Sequence, residues 1–395
     1  MISVSEALDR LFSLASTLDT ETVPLSQAVG RILAEDVAAR LSQPPFSSSA
    51  MDGYAVINAE AQPGMQLEVI GESAAGDRFE GRVSSGKAVR IFTGAPVPDG
   101  ADCVLIQEDT IRDGDKITVA DNRDTKTYIR PAGGDFLVGD LVKAPRKLSP
   151  SDVALLASMN VPTVPVTRKP IVALVPNGNE LVMPGETPGP DQIVSSNNFG
   201  LKALLEANGA EVRMLPIAKD TKESLHQALD LSEGADLIVT LGGASVGDHD
   251  LVHKVAGERG VKLDFYKVAM QPGKPLMAGD MNGVPMVGLP GNPVSSMVCG
   301  HIFLRPMINV MLGFAAAPVP RIKGFIAKDV SGNGSREHYM RAKAEIVDGN
   351  WQVTPFDKQD SSLLTILGQA NALLVRPPND GPLTKGVPVE FVEIV

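Results

Sequence analysis

Apolar positions change their spacing three times along the chain. In the first 45 residues they recur at helical intervals, at Val4, Ala7, Leu8, Leu11 and Phe12 and again at Leu25, Val29, Ile32 and Leu33, which predicts helices over both runs. Gln43-Pro-Pro-Phe-Ser-Ser-Ser49 interrupts the pattern. From Met51 to about Val142 the chain reads as β: Gln66–Ile70, Lys87–Phe92, Cys103–Ile106 and Lys116–Val119 are short runs separated by turns such as Asp99-Gly100 and Asp113-Gly114. A helix is expected over Pro150–Ser158, capped by Ser149 or Ser151.

From residue 169 to 312 strands and helices alternate. Strands are expected at Ile171–Val175, Val212–Leu215, Leu237–Leu241, Leu263–Met270 and Val284–Leu289, with helices at Ser196–Ala207 and Thr221–Leu231 and a long apolar helix after Pro293. This alternation predicts a parallel sheet with right-handed crossovers. After the linker Gly313–Pro320, five further β runs between Arg321 and Ile394 suit a small barrel or sandwich. The fold class expected is a multidomain α/β plus β protein: a central Rossmann-like parallel-sheet domain, a β-rich N-terminal region and a small C-terminal β-barrel or sandwich. The divisions are 1–45 with 132–168, 46–131, 169–312 and 319–395.

Composition narrows the partners. The net charge of −11 and pI near 5.0 argue against non-specific nucleic-acid binding. Cys103 and Cys299 are the two cysteines; they make no disulfide framework, and a reducing, cytoplasmic compartment is the simplest expectation. The start, Met1–Glu6, does not read as a signal peptide. The longest apolar stretch, Val294–Phe314, is interrupted by His301, Arg305 and Asn309 and reads as a buried helix, so no membrane span is expected.

Candidate chemistry gathers at strand ends. Leu237–Leu241 runs into Gly242-Gly243, then Ser245, Asp248 and Asp250. Glycines there allow positive φ and close approach of a ligand, and successive amides can cradle an anion. Asp248 and Asp250 either share a cation or are two solvated loop acids. Pro290, Asn292 and Pro293 form a helix start, with Asn292 as cap, which suits an anion. Lys267, read as lying on a strand, and Lys274, between Gly273 and Pro275, are candidate phosphate contacts. Asp220 reads as a helix cap, Glu180 as a turn acid or a site residue, and Asp52, in a serine-rich non-helical run, as functional. Thr93 and Ser245 are small hydroxyls in glycine turns that donate to an anion or merely cap the turn. The five histidines have no metal-ligand spacing. Gly243-Ala-Ser-Val-Gly247 also satisfies the nucleophile-elbow pattern of serine hydrolases, with His301 or His338 as the conceivable base. An acidic loop follows it where a helix should begin.

Seven segments in order, Pro44–Ala55, Ile91–Pro96, Gly100–Asp102, Ile129–Asp135, Gly242–Asp248, Gln271–Pro275 and Leu289–Pro293, together resemble the molybdopterin molybdenumtransferases of the MoeA type and the similar E domain of gephyrin. The resemblance implies insertion of molybdate into adenylylated molybdopterin with release of AMP, dependent on Mg²⁺, by an elongated homodimer. A non-catalytic molybdopterin carrier is the alternative. The resemblance implies catalytic roles for Asp52, Thr93, Glu180, Asp220, Asp250 and Lys267, with Asp52, Glu180 and Asp250 on the metal. It places Arg130, Asp135, Gly242, Gly243, Ser245, Asp248, Lys274, Pro290, Asn292, Pro293, Arg341 and Ser361 on the substrates. Gln271 stands where some members have a second lysine. A molybdopterin adenylyltransferase and molybdoenzyme chaperones are the partners implied.

Overall fold

The structure, a computed structural model, describes residues 1–242 and 251–394, without the side chains of Val252 and His253. The chain divides into two compact units, Thr22–Val166 and Met1–Glu21 with Thr167–Val395.

In the first unit a six-stranded sheet has the order Cys103–Ile106, Gly53–Val56, Lys87–Ile91, Gln66–Ser73, Lys116–Val119, Thr110–Asp113. Alternation along these strands feeds two cores. Tyr54, Val56, Ala88 and Leu105 pack on one face, and Ala55, Val89, Ile91 and Val104 on the other. A third core joins Leu33, Leu148, Val164 and Val166 to Leu156 of the helix Pro150–Ser158. Ser149 caps that helix in a reciprocal box with Asp152. The helix expected over Leu25–Leu33 is corrected: Leu25–Gln27 is one 3₁₀ turn and Ile32–Leu33 is a strand paired with Arg146–Lys147. Pro24, Gly30 and β-branched Ile32 all weaken a helix there, and pairing across the chain wins.

In the second unit Ser3 caps the helix Val4–Leu14. The central sheet has the order Glu211–Met214, Ile171–Pro176, Leu237–Leu241, Val284–Leu289, Met277–Met281, Val261–Phe265. The first four are mutually parallel, but Met277–Met281 runs antiparallel to both of its neighbours, so the sheet is mixed and not purely parallel. The cause is a two-residue turn. Asn282 and Gly283, at φ of +55° and +91°, join Met277–Met281 to Val284–Leu289, and so short a link permits only a hairpin. Lys267 accordingly lies between strands and not on one.

The helix Pro293–Met311 spans 19 residues with 78% of its apolar window buried, and it serves as a core helix. The C-terminal β region is a closed five-stranded barrel, in the order Glu337–Val347, Asn350–Pro355, Ile322–Ile326, Pro388–Glu393, Ala372–Arg376 and back to the first. Its core includes Ile326, Val353, Leu374 and Phe391. Met270–Gln271 adds alongside Glu337–His338.

One ion pair fixes where the parallel strands begin. Arg168 donates to both oxygens of Asp236 at 2.7 and 2.6 Å, and the Ile171 amide donates to the same carboxylate at 2.8 Å. Burial pushes the Asp236 pKa up, but the Arg168 and Ile171 hydrogen bonds outweigh it and hold the carboxyl below its ordinary value. With the folded value the lower one, this contribution is present above the unfolded carboxylate range, near pH ~4, and is lost as pH falls through the folded value. Asp236→Asn should cost about 2–3 kcal/mol at pH 7, below the full cost of breaking a buried pair because Arg168 is 33% exposed. Urea denaturation at falling pH should show the gap between variant and wild type narrowing. A gap constant with pH would sink the linkage.

Candidate active site

Three parallel strands end at one cavity of about 500 Å³, bordered by Pro176, Gly242 and Pro290. Open α/β sheets bind ligands at this edge. Gly242 has φ of +97°, and a Cβ on it would sit 2.9 Å from the Asn177 carbonyl oxygen. Asn177 is 4% exposed. With its amide nitrogen facing the central strand, it donates to the Gly242 and Leu241 carbonyls, both at 3.1 Å. Its backbone N–H donates to Leu241 O as well, at 3.1 Å. Nothing in the sequence reading singled out Asn177; an asparagine directly after a strand and before glycine was the available signal.

Glu180 and Asp220 both face this cavity. Gly178, just before Glu180, has φ of +146°, a conformation that side chains rarely adopt. Asp220 is not the helix cap. Thr221 accepts from the Ser224 amide and caps Lys222–Asp230, while Asp220 Oδ2 accepts from Asn179 N at 3.1 Å and Asp220 N donates back to Asn179 Oδ1 at 3.2 Å. With Thr221 capping the helix, the Asp220 carboxylate is left to Asn179 and the cavity.

Pro290, Asn292 and Pro293 border the cavity too, but the helix start is partly used. The Val294 amide donates to Ser361 O at 3.1 Å, and the Asn292 side chain donates to Ser361 Oγ at 3.0 Å instead of capping. The expected free helix terminus is thus corrected to one held by a loop of the barrel. Next to Ser361, the Asp360 carbonyl accepts from Arg341 Nη2 at 3.0 Å. Arg341 is 0% exposed, and its Nε and Nη1 have no partner. Burial pulls its pKa down from the ordinary value, against the Asp360 charge. A guanidinium stays charged even so, and a buried cation with idle N–H groups is costly unless an anion arrives. His338 lies nearby; burial, Arg341, Arg376 and Arg336 hold it down at about 4. Lys267 Nζ sits 5.5 Å over the Tyr266 ring, and Lys274 is exposed in the following turn. At Gln271, Arg336 donates to Oε1 at 3.2 Å, so a positive group does reach that position.

In the other unit three of the motif segments meet. Asp52 Oδ1 accepts from both the Thr93 amide and the Thr93 hydroxyl at 2.8 Å. Arg130 pairs with Ser48, Gly94 N donates to Ser49 O at 2.8 Å, and Asp135 N donates to Gln43 O at 2.9 Å. Arg130 and Asp135 are both exposed. Thr93's backbone and then side-chain hydrogen bonds hold the Asp52 pKa below its ordinary value, with Arg90 adding to them.

Comparison with known proteins bears directly on these two groups of residues. The MoeA N-terminal region (domain I and II) matches residues 2–160, the probable molybdopterin binding domain residues 173–310, and the MoeA C-terminal region (domain IV) residues 323–394. The molybdopterin molybdenumtransferase of Nostoc sp. is 34% identical over 100% of this chain and 94% of its own. The chain belongs to the molybdopterin molybdenumtransferase family. The Haemophilus influenzae molybdopterin molybdenumtransferase is 32% identical over 98% of this chain and 97% of its own. Two solved structures of the MoeA protein of Pyrococcus horikoshii superpose with TM-scores of 0.85 and 0.84, at 29% and 27% identity, over 100% of this chain and 99% and 100% of theirs.

As a molybdopterin molybdenumtransferase the chain is a transferase of molybdenum cofactor biosynthesis. The serine-hydrolase alternative gains nothing: His301 is buried in the core helix, and Ser245 lies outside the described residues. Gly243, Asp248 and Asp250 also lie outside them. Among the described residues no three acids, histidines or cysteines gather as a metal cluster.

The Asp52–Thr93 pair yields a direct test. Thr93→Val removes the hydroxyl and keeps the amide, so the Asp52 pKa should rise towards the ordinary carboxylate value. A ¹³C NMR titration of the carboxyl reads this; an unmoved midpoint would mean that the hydroxyl contributes nothing.

Proposed function

We propose that the chain inserts molybdate into adenylylated molybdopterin and releases AMP and the molybdenum-loaded pterin. The observation that carries this reading is Arg341, a buried guanidinium with two unpartnered nitrogens, joined through Asp360 and Ser361 to the mouth of the strand-end cavity. An oxyanion substrate supplies the acceptors that this cation lacks, and Ser361 is the neighbouring hydroxyl. The pterin nucleotide occupies the strand-end cavity, with Gly242, Gly243, Ser245, Asp248, Pro290, Asn292 and Pro293 cradling it. Lys267, Lys274 and Arg130 contact its phosphates, with Asp135 beside Arg130, and Arg336 stands in at Gln271.

The carboxylates suit Mg²⁺, a hard ion that takes oxygen ligands and keeps several waters. Asp52, Glu180 and Asp250 are its ligands in this reading, with Asp220 close to Glu180 on the cavity wall. Bound there, Mg²⁺ neutralises charge gathering at the cleaved phosphoanhydride. Thr93 keeps Asp52 ionised and oriented. Water attacks the pterin-side phosphorus, the anhydride phosphorus–oxygen bond breaks, AMP leaves with its electron pair, and molybdate gives up an oxide as water when the pterin takes the metal.

The protein works as a cytoplasmic homodimer, handing its product to molybdoenzyme chaperones and receiving substrate from the adenylyltransferase. Two buried free cysteines support the reducing compartment. Its domains are 1–45 with 132–168, 46–131, 169–312 and 319–395.

A single-turnover assay tests the function. Protein, adenylylated molybdopterin, Mg²⁺ and molybdate should give molybdate-dependent AMP release matched by molybdenum on the pterin. Pterin binding without AMP release would make the protein a carrier. Arg341→Met should lose the molybdate dependence. Molybdate should raise the wild-type Tm and leave the variant's unchanged, while the unliganded variant keeps its stability because methionine fits an apolar burial better than an unpaired cation. A molybdate-stabilised Arg341→Met protein would sink the assignment.

The shared-site dimer has its own test. Mixing inactive Asp52→Ala and Lys267→Ala proteins, one variant in each of two domains, should restore part of the activity if two copies complete one site. No recovery would place the whole site in one chain.

A further inference from the structure

The Asp52–Thr93 pair is surrounded by contacts beyond its own two hydrogen bonds. Asp52 immediately precedes the strand Gly53–Val56, and Thr93 follows shortly after the strand Lys87–Ile91. These strands are antiparallel neighbours, with Tyr54 opposite Arg90. Directly opposed side chains on one face of a sheet meet. Arg90 is half-buried, and its guanidinium carbon lies 5.0 Å from the Tyr54 ring centre and 4.9 Å from that of Phe92.

The same guanidinium is tethered at both terminal nitrogens. Nη1 donates to Gly53 O at 3.2 Å, and Nη2 donates to Gln107 Oε1 at 2.9 Å. Gln107 in turn donates its backbone N–H to Asp52 O at 3.0 Å. Arg90 therefore touches the residue after Asp52, the residue that holds the Asp52 carbonyl, and the residue before Thr93. Both hydrogen-bond acceptors are neutral, so these contacts fix geometry and do not neutralise charge. Gly53 gives the segment no leeway: a Cβ on it would sit 1.8 Å from Leu105 O.

We propose that Arg90 is a positioning residue of the transfer reaction: its fork and its two ring contacts clamp the Asp52 and Thr93 segments together, so that the Asp52 carboxylate keeps one orientation. The proposal rests on Asp52 as a site residue, the reading given above. Arg90 acts through its neighbours and is not assigned to the substrate. A guanidinium suits this role because it is planar, presents its donors in a rigid fork and stacks on aromatic faces, whereas a lysine ammonium is a point charge on a flexible stem. The two ring contacts add cation–π attraction and limit its rotation. Orientation matters here because the Thr93 amide and hydroxyl share one oxygen, Asp52 Oδ1, so a carboxylate that swings away loses both donors at once. Small misplacements of a reacting group cost large factors in rate.

Three variants of the full chain test the clamp. Arg90→Lys keeps the charge and loses the fork; Arg90→Met loses both. Gln107→Leu, at an exposed position, removes one acceptor and leaves the Gln107 amide on Asp52 O. Both Arg90 variants should lower kcat for AMP release about tenfold or more and leave KM for adenylylated molybdopterin within about twofold. Gln107→Leu should lower kcat by less, in the same direction. The second readout is the Thr93 amide in substrate-free protein labelled with ¹⁵N-threonine, its signal assigned by its loss in Thr93→Val. This proton, donated to Asp52 Oδ1, should move to higher field in all three variants. Wild-type kcat in Arg90→Lys would overturn the clamp, and so would a loss of kcat with the Thr93 amide unmoved. Gln107→Leu decides even where an Arg90 variant does not fold: wild-type kcat with an unmoved amide there overturns the clamp. A wild-type protein without molybdate-dependent AMP release would overturn the transfer reading, and the Thr93 amide, which needs no turnover, would still decide the clamp.

Discussion

At the end of the central strand the chain has to turn into the left-handed region, and Gly242 does so at φ of +97°. Asn177 closes over that turn, its side chain reaching two carbonyls of the departing strand. Because Asn177 itself follows the neighbouring strand, two parallel strands are tied at the ends where their loops begin. Gly242 N donates in turn to Leu289 O at 3.1 Å, which brings the start of the next loop, Pro290, to the same edge. The counterpart of this tie at the opposite end is the Arg168–Asp236 pair, so the register of the first parallel strands is pinned at both ends.

The electrostatics of the larger unit are arranged around unmet demand. Arg341 is enclosed with two of its nitrogens unpartnered, and His338 beside it is kept neutral by burial and by arginines. A protein optimised only for stability would place an apolar side chain there. Retaining a bare cation makes sense where a transient anion completes the set, and this links the barrel's interior to the reaction proposed at the strand ends.

Much of this was legible in the residues. The strand Leu237–Leu241, the helix Pro150–Ser158 and the strand Val284–Leu289 were bounded by apolar runs with clear punctuation, and the structure keeps those bounds. The seven motif segments led to the family. What failed did so for physical reasons. Leu25–Leu33 has helical spacing but is recruited by a distant strand, which local pattern cannot register. The strand Met277–Met281 is short and carries Gly279, so its β signal was faint, although Asn282-Gly283 announced the hairpin. Asp220 looked like a cap because two adjacent residues were both good caps. Asn177, Arg336 and Arg90 were beyond reach, since each acquires its meaning only from groups far away in sequence.

The segment Gln359–Ser362 carries a consequence for how this family can be cut apart. Gln359 exchanges hydrogen bonds with the Arg341 backbone, Asp360 receives the Arg341 side chain, and Ser361 supplies the carbonyl that satisfies Val294 at the start of the core helix. The barrel is therefore not a detachable appendage of the α/β domain. Expressed without it, the α/β domain would present a bare helix end and an uncovered apolar flank to water. Modular descriptions of the chain mark where sequence blocks meet, not where it can be divided.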